Sequence, residues 1–310
     1  MMRGTKYIWQ QEGWPHMQWD DTSFSNILAE INLLRGKLLG RVSMFGFEEQ
    51  NLSMLESMTQ EIVHSAKIEG EELNRDSVRS SVARQLGLEY EGLKNSDHYT
   101  EGVVQVMIDA VQHHDMPLDA ERLFSWHAAL FPTGRSGIHK ILVGDWRQGE
   151  EPMQVVSGPL GHEKIHYEAP ASKDVPDMMS DFLRWFDSEN TLDPLVKTAV
   201  MHLWFVTIHP FDDGNGRICR TLTELLLSRA DQTSQRYYSL SSEILNHRKD
   251  YYQLKFRMWF KYGLKAQKLL AQGIALGIMA ISKAPCKGKN FVYCQVFESF
   301  CPYRATVLRP

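Results

Sequence analysis

The stretch HPFDDGNGRICR, His209 to Arg220, gathers a histidine, two adjacent carboxylates, an asparagine between two glycines, and two arginines. A loop reading D-G-N-G-R at the start of a helix leaves several backbone N–H groups without intrahelical partners, and the helix dipole adds about half a positive charge there. Such a nest binds anions. Gly214 and Gly216 let the backbone turn sharply and approach a ligand, while Arg217 and Arg220 add fork-shaped donors suited to phosphate oxygens. Asp213 would repel phosphate at short range unless a cation stood between them. Mg²⁺ takes one or two carboxylates together with phosphate oxygens and water, so Asp213 reads as a magnesium ligand beside a polyphosphate. His209, immediately before the loop, is placed to take a proton from an incoming hydroxyl. Each feature alone has a plain reading, a turn or a helix cap; the combination is far more specific.

The elements that must hold these residues are helical. Asp193-Pro194 is an N-cap and first-turn pair, and the LVKTAVMHLWFVTI that follows is apolar nearly all round, which predicts a central buried helix ended by His209-Pro210. Beyond the glycines, Ile218, Leu222, Leu225 and Leu226 form one apolar stripe and Arg217, Arg220 and Glu224 line another face. Upstream, Leu52, Leu55, Met58, Ile62 and Ala66 recur at helical steps, predicting a helix over 48–69 with Gly70 at its C-terminus. Further helices are expected from about 74 to 87, 98 to 113, 119 to 130 and 174 to 188. The exception is 144–170, where the β-rich runs MQVVS and KIHYE flank a Gly-Pro-Leu-Gly turn, a hairpin that serves as a flap or as a simple connector. The fold class is therefore mainly α, a helical bundle with a small β-hairpin flap.

The 310 residues suffice for one large or two modest domains with a full core. With 23% charged and 43% apolar residues the composition is globular, and a formal net charge of -4 offers no whole-molecule attraction to nucleic acid or anionic membrane. The opening MMRGTKYIWQQEGW lacks a signal-peptide pattern and no apolar run approaches the roughly 20 residues of a membrane helix, so a cytoplasmic protein is expected. Cys219, Cys286, Cys294 and Cys301 form neither a disulfide framework nor a zinc spacing.

The stretch 209–220 fits HxFx(D/E)GNGRxxR at every fixed position and so resembles the signature of the Fic family. The likeness extends over about residues 95–255, and KYIWQQEGWPHMQWDD is similar to an N-terminal segment of some members. The resemblance implies transfer of AMP from ATP to a Ser, Thr or Tyr hydroxyl of a target protein, with release of pyrophosphate. By position it implies that His209 is the general base and Asp213 the Mg²⁺ ligand. Gly214, Asn215, Gly216 and Arg217 are then the cradle of the α- and β-phosphates, and Arg220 grips the γ-phosphate. Phe211 anchors the loop, and Tyr251 lines the adenine pocket or simply packs. Asp212 reads as solvated or a weak supporting partner. The 144–170 hairpin is similar to the family's flap, which pairs with the target's main chain.

HSAKIEG places Ser65 and Glu69 four apart on one face next to an apolar stripe, where Glu69 reads either as an exposed residue at the helix end, which propensity alone favours, or as a buried one that needs a cationic partner. SxxxEG resembles the inhibitory motif (S/T)xxxE(G/N) of one Fic class, which implies that Glu69 pairs with Arg220 and takes the charge meant for the γ-phosphate. Some members of that class also remove AMP from the target.

The expected division is 1–92, an N-terminal helical segment carrying the inhibitory motif; 93–255, the catalytic core; and 256–310, a divergent tail. The composition shifts abruptly near 256, and this favours a frame-shifted end over a tail with its own function. Two alternatives stand beside AMP transfer: transfer of UMP or another phosphate-containing group by the same loop, and a silent nucleotide-binding regulator. Oligomerisation would stabilise an inhibited form, although the sequence identifies no interface.

Overall fold

The computed structural model describes residues 7–17, 25–89, 95–157, 162, 164–188 and 191–259. The Gly-Pro-Leu-Gly turn at 158–161 and the tail from 260 onward, with Cys286, Cys294 and Cys301, lie outside the described residues.

Ten α-helices run through the described residues: α1 Ser25–Val42, α2 Phe47–Ile68, α3 Arg75–Gln85, α4 His98–Gln112, α5 Ala120–Leu130, α6 Val175–Asp187, α7 Pro194–Ile208, α8 Asn215–Asp231, α9 Leu240–Asn246 and α10 Arg248–Trp259. Their starts follow capping chemistry. Asn74, Asp97, Asp119 and Asp193 each accept a hydrogen bond from a backbone N–H of the first turn, which satisfies one orphan donor per helix. Pro194 opens α7, where its missing N–H costs nothing.

Helix α7 is the axis of the molecule. Leu195 and every residue from Thr198 to Ile208 are buried, as the all-round apolar pattern predicts, and α8, which follows after a short loop, packs against it. An aromatic cluster surrounds its middle, with Trp204 meeting Trp14, Phe182 and Trp185 at centroid separations of 5.2–6.1 Å. On the other side α2 packs against α3 and α9. Leu55, Met58, Ile62 and Ala66 are buried there, whereas Leu52 is 49% exposed, so the stripe begins one turn later than its period suggests. The helix also stops a residue early: Glu69 is its C-cap, and Gly70 takes the left-handed φ of 88° that the chain reversal requires.

Two antiparallel hairpins interrupt the helices. The expected one pairs β3 (Gln154–Ser157) with β4 (Lys164–Glu168) in the register Gln154↔Glu168, Val155↔Tyr167, Val156↔Ile165, Ser157↔Lys164, with an irregularity after Val155. The other joins β1 (Arg135–Ser136) to β2 (His139–Lys140) around Gly137; strands of two residues carry no period that sequence can reveal. No helix among the described residues is long and apolar enough to cross a membrane.

Candidate functional site

The site is built where α7 ends. His209 caps it in the left-handed region, φ 54° and ψ 60°, a conformation that costs a non-glycine residue about 1–3 kcal/mol and persists only when its surroundings over-determine it. Its Nδ1 lies 3.2 Å from the carbonyl of Val206. A carbonyl only accepts, so Nδ1 carries the hydrogen and the neutral ring keeps its lone pair on Nε2, the form a general base needs.

The following loop is clamped from within. Phe211 is fully buried, stacked on His127 at 4.2 Å with planes 14° apart. Asn215 is buried too, and its side-chain amide brackets the backbone of Phe211: Oδ1 accepts from Phe211 N–H at 3.0 Å and Nδ2 donates to Phe211 C=O at 2.8 Å. Asn215 therefore spends its side chain on loop shape and has a main-chain amide to offer an anion. Asp212 accepts from the N–H of Leu142 at 2.8 Å, so it is a tie to the neighbouring strand segment and more than a solvated charge.

Asp213 accepts from Gly214 N–H at 2.6 Å through Oδ1 and from the Ser136 hydroxyl through Oδ2. Each oxygen has taken one hydrogen bond and keeps a second lone pair. Among the described residues no group of three or more His, Cys, Asp or Glu side chains could hold a metal. A Mg²⁺ ion at Asp213 would therefore have to take most of its ligands from phosphate oxygens and water.

Gly214 adopts φ 78° as the N-cap of α8, and a Cβ there would press on the Phe131 ring at 2.8 Å. The first intrahelical bond of α8 runs from Ile218 N–H to Gly214 C=O, so the amides of Asn215, Gly216 and Arg217 precede the ladder and form the positive end of the helix. A carboxylate already stands there: a Cβ on Gly216 would overlap Oε1 of Glu69.

Both arginines of the motif are engaged by the segment 65–71. Arg220, 2% exposed, donates from Nη1 to Glu69 Oε1 at 2.7 Å, from Nε to the Ser65 hydroxyl at 2.8 Å and from Nη2 to the Ser65 carbonyl at 2.9 Å. Burial works against its charge and Glu69 outweighs that, so its pKa rises. Arg217 Nη1 donates to Glu71 Oε2 at 3.0 Å and lies 2.6 Å from the Tyr99 hydroxyl, which itself donates to Glu71; its guanidinium carbon sits 4.7 Å over the Phe131 ring. Burial foremost, with the adjacent Glu71, holds the Tyr99 phenol above its ordinary pKa against the pull of Arg217. The Nε of Arg217 is buried without a hydrogen-bond partner among the described residues.

Tyr251 lies at the edge of this cluster. Its hydroxyl is 2.8 Å from His202 Nε2, and its ring packs with Ile68, Leu240 and Ile244. The ring thus borders the end of the helix that carries Glu69.

Residues 117–227, which contain the loop and both of its flanking helices almost entirely, match the model of the Fic/DOC family. This part of the chain is a Fic domain. Residues 7–88, ahead of the Fic domain, match a family described as a domain of unknown function, DUF4172. Protein adenylyltransferase Fic of Drosophila yakuba is 29% identical over 181 residues, 56% of this chain and 33% of the relative. Protein adenylyltransferase fic-1 of Caenorhabditis elegans is 40% identical over 58 residues, 18% of this chain and 11% of the relative. The chain thus spans a third or less of the length of these relatives. A solved Fic family protein from Desulfovibrio desulfuricans G20 superposes with a TM-score of 0.60 at 24% identity, covering 84% of this chain and 74% of that one, which establishes the Fic fold.

Sequence reasoning brought His209, Asp213, Gly214, Gly216, Arg217, Arg220, Ser65 and Glu69 to one place, and the structure gathers them there. It missed Glu71 and Tyr99 on Arg217, and His127 beneath Phe211. The imidazole of His127 donates from Nε2 to the carbonyl of Asp213 and accepts from Gly144 N–H at Nδ1, both at 3.2 Å. Burial drives its pKa down to about 4, with the Asp213 carbonyl opposing. It missed Arg147 and Tyr167 as well. Glu224, on the same helix face as the two arginines, is buried and paired with Arg236 at 2.8 Å.

Proposed function

We propose that this chain is a protein adenylyltransferase, transferring AMP from ATP to a hydroxyl side chain of a target protein and held off by Glu69. The observation that carries this reading is the carboxylate of Glu69 lying over Gly216 while it pairs with Arg220 at 2.7 Å, an internal anion on a helix N-terminus equipped for phosphates. The adenylyltransferase relatives support the nucleotide and the reaction class.

In the reaction, the acceptor hydroxyl oxygen bonds to the α-phosphorus of ATP as the bond from that phosphorus to the bridging oxygen breaks and pyrophosphate leaves. The hydroxyl proton passes to Nε2 of His209, whose tautomer is set by the Val206 carbonyl. The amides of residues 215–217 and the two arginines bind the phosphates, and Tyr251 borders the base. Asp213 would hold Mg²⁺, which supplies positive charge to neutralise the polyphosphate. The β3–β4 hairpin presents Val156 and Ile165, register partners that are 46% and 48% exposed, as an apolar pair against which an acceptor strand can lie.

With Glu69 in place, ATP loses the Arg220 contact to its outermost phosphate and its α-phosphorus is misaligned, and small misplacements cost orders of magnitude in rate. In this reading 1–92 is the regulatory segment and 93–255 the catalytic core. Incubation with labelled ATP or UTP tests it. Glu69→Gly raises self-labelling from ATP, and adding His209→Ala abolishes it; label from UTP instead changes the nucleotide, and label from neither leaves a nucleotide-binding regulator.

A further inference from the structure

Five consecutive carbonyls at the end of α7 are each paired, and four of the donors come from the hairpin segment. Val206 C=O takes the Nδ1–H of His209. Thr207 C=O takes the Tyr167 hydroxyl at 2.6 Å, Ile208 C=O the Nη2 of Arg147 at 3.4 Å, His209 C=O its Nε at 2.7 Å, and Pro210 C=O its backbone N–H at 2.8 Å. The last carbonyls of a helix have no intrahelical donor and carry the negative end of its dipole. Here four of the five donors come from 40 to 63 positions away in the chain.

Arg147 is 3% exposed and Tyr167 is fully buried. A cation is costly to bury, and Arg147 spends its guanidinium on carbonyls, for which a planar fork of donors is suited. Its Nη2 also reaches the carbonyl of Pro170, two residues beyond β4, where Ala169 N–H bonds to Met153 C=O at the base of the hairpin. One guanidinium therefore joins the foot of the flap to the backbone of His209, the residue whose left-handed conformation needs outside support.

We propose that Arg147 and Tyr167 are positioning residues: together they fix the left-handed turn at His209 and hold its imidazole in register with the acceptor lying along the β3–β4 flap. This rests on the reading of His209 as general base. Neither residue touches the nucleotide. Their loss lowers turnover while nucleotide affinity, which depends on α8, stays unchanged.

The test uses the full chain in the Glu69→Gly background with Tyr167→Phe, Arg147→Lys and Arg147→Met added singly. Two readouts are taken: kcat and KM for ATP in self-labelling, and the histidine ring ¹H–¹⁵N correlation spectrum, with His209 assigned by the signals lost in His209→Ala. Arg147→Met is expected to lower kcat about 100-fold, the scale of an ångström misplacement, with KM for ATP within about twofold. Arg147→Lys, which keeps one donor, and Tyr167→Phe, which removes a single hydroxyl, fall between. The His209 ring moves from the Nδ1–H form toward an exchanging mixture in step with kcat. An unchanged His209 spectrum in both Arg147→Met and Tyr167→Phe overturns the proposal, as does a rise in KM for ATP that tracks the fall in kcat. Should Arg147→Met not fold, Tyr167→Phe decides. If Glu69→Gly itself transfers no label, adenylyl transfer is what fails, and the ring spectra still settle the positioning.

Discussion

Glu69 Oε1 and Arg220 Nη1 meet at 2.7 Å across 151 residues of chain, with the arginine 2% and the glutamate side chain 33% exposed. Its other donors reach the Ser65 hydroxyl and carbonyl, so among the described residues Glu69 is the anion paired with this buried guanidinium, and in the proposed reading the pair is both a brake and a strut.

Removing the carboxylate therefore separates two effects. Glu69→Gly is expected to raise self-labelling from ATP roughly 5- to 150-fold, the usual span of a coupling free energy between sites. It should also lower the melting temperature without ATP, because Arg220 is left buried and unpaired; saturating Mg-ATP should restore most of that loss. A calorimetric scan with and without nucleotide checks both, and labelling no higher than the parent's rejects the brake.

Arg217 is held by a second acid of the same segment. Glu71 is 37% exposed at its side chain, so screening keeps this contact to about 1 kcal/mol or less. Tyr99→Phe and Glu71→Gln should each tighten ATP binding by a few-fold at most, measured by titration calorimetry on the His209→Ala chain so that no nucleotide turns over. Weaker binding would show that Glu71 and Tyr99 present Arg217 to the ligand.

Gly216 is where the lock and the helix meet. A methyl there would overlap Glu69 Oε1 and stand 3.2 Å from Arg220 Nη1. Gly216→Ala should destabilise the parent chain yet cost little in Glu69→Gly, so that the two substitutions couple by about 0.5–3 kcal/mol in a double-mutant cycle of urea unfolding. Additive effects would mean that the carboxylate does not rest on the helix start.

The sequence-level reading reached what is local. The loop chemistry lies in twelve contiguous residues, and the caps at Asn74, Asp97, Asp119 and Asp193 are single-residue signals just ahead of periodic helices. The roles of Arg147, Tyr167, Tyr99, Glu71 and His127 were not legible, because each acts through a partner 40 to 146 positions away, and the β-rich run that contains Tyr167 says nothing of what its hydroxyl will bond. Glu61 makes the same point: buried in α2, it is satisfied by Ser239 and Ser241 at the start of α9, at a separation of about 180 residues.

His127 yields a prediction in pH. Its two ring nitrogens are both used in the neutral state, Nε2–H toward Asp213 C=O and Nδ1 from Gly144 N–H, so protonation would set two donors against each other. The ring titrates near 4 when folded and near 6.5 when free, since burial disfavours the charged form. Between those values the unfolded chain binds a proton that the native chain does not, so stability falls as pH drops from about 6.5 to about 4, by at most about 3 kcal/mol from this group. His127→Gln keeps a donor for the Asp213 carbonyl and cannot titrate. Its unfolding free energy should be lower than the parent's at pH 7.5 and should vary less with pH between 6.5 and 4, as followed by urea melts monitored by tryptophan fluorescence. Equal slopes for the two chains over that window would show that His127 takes up its proton at the same pH in the folded and the unfolded chain.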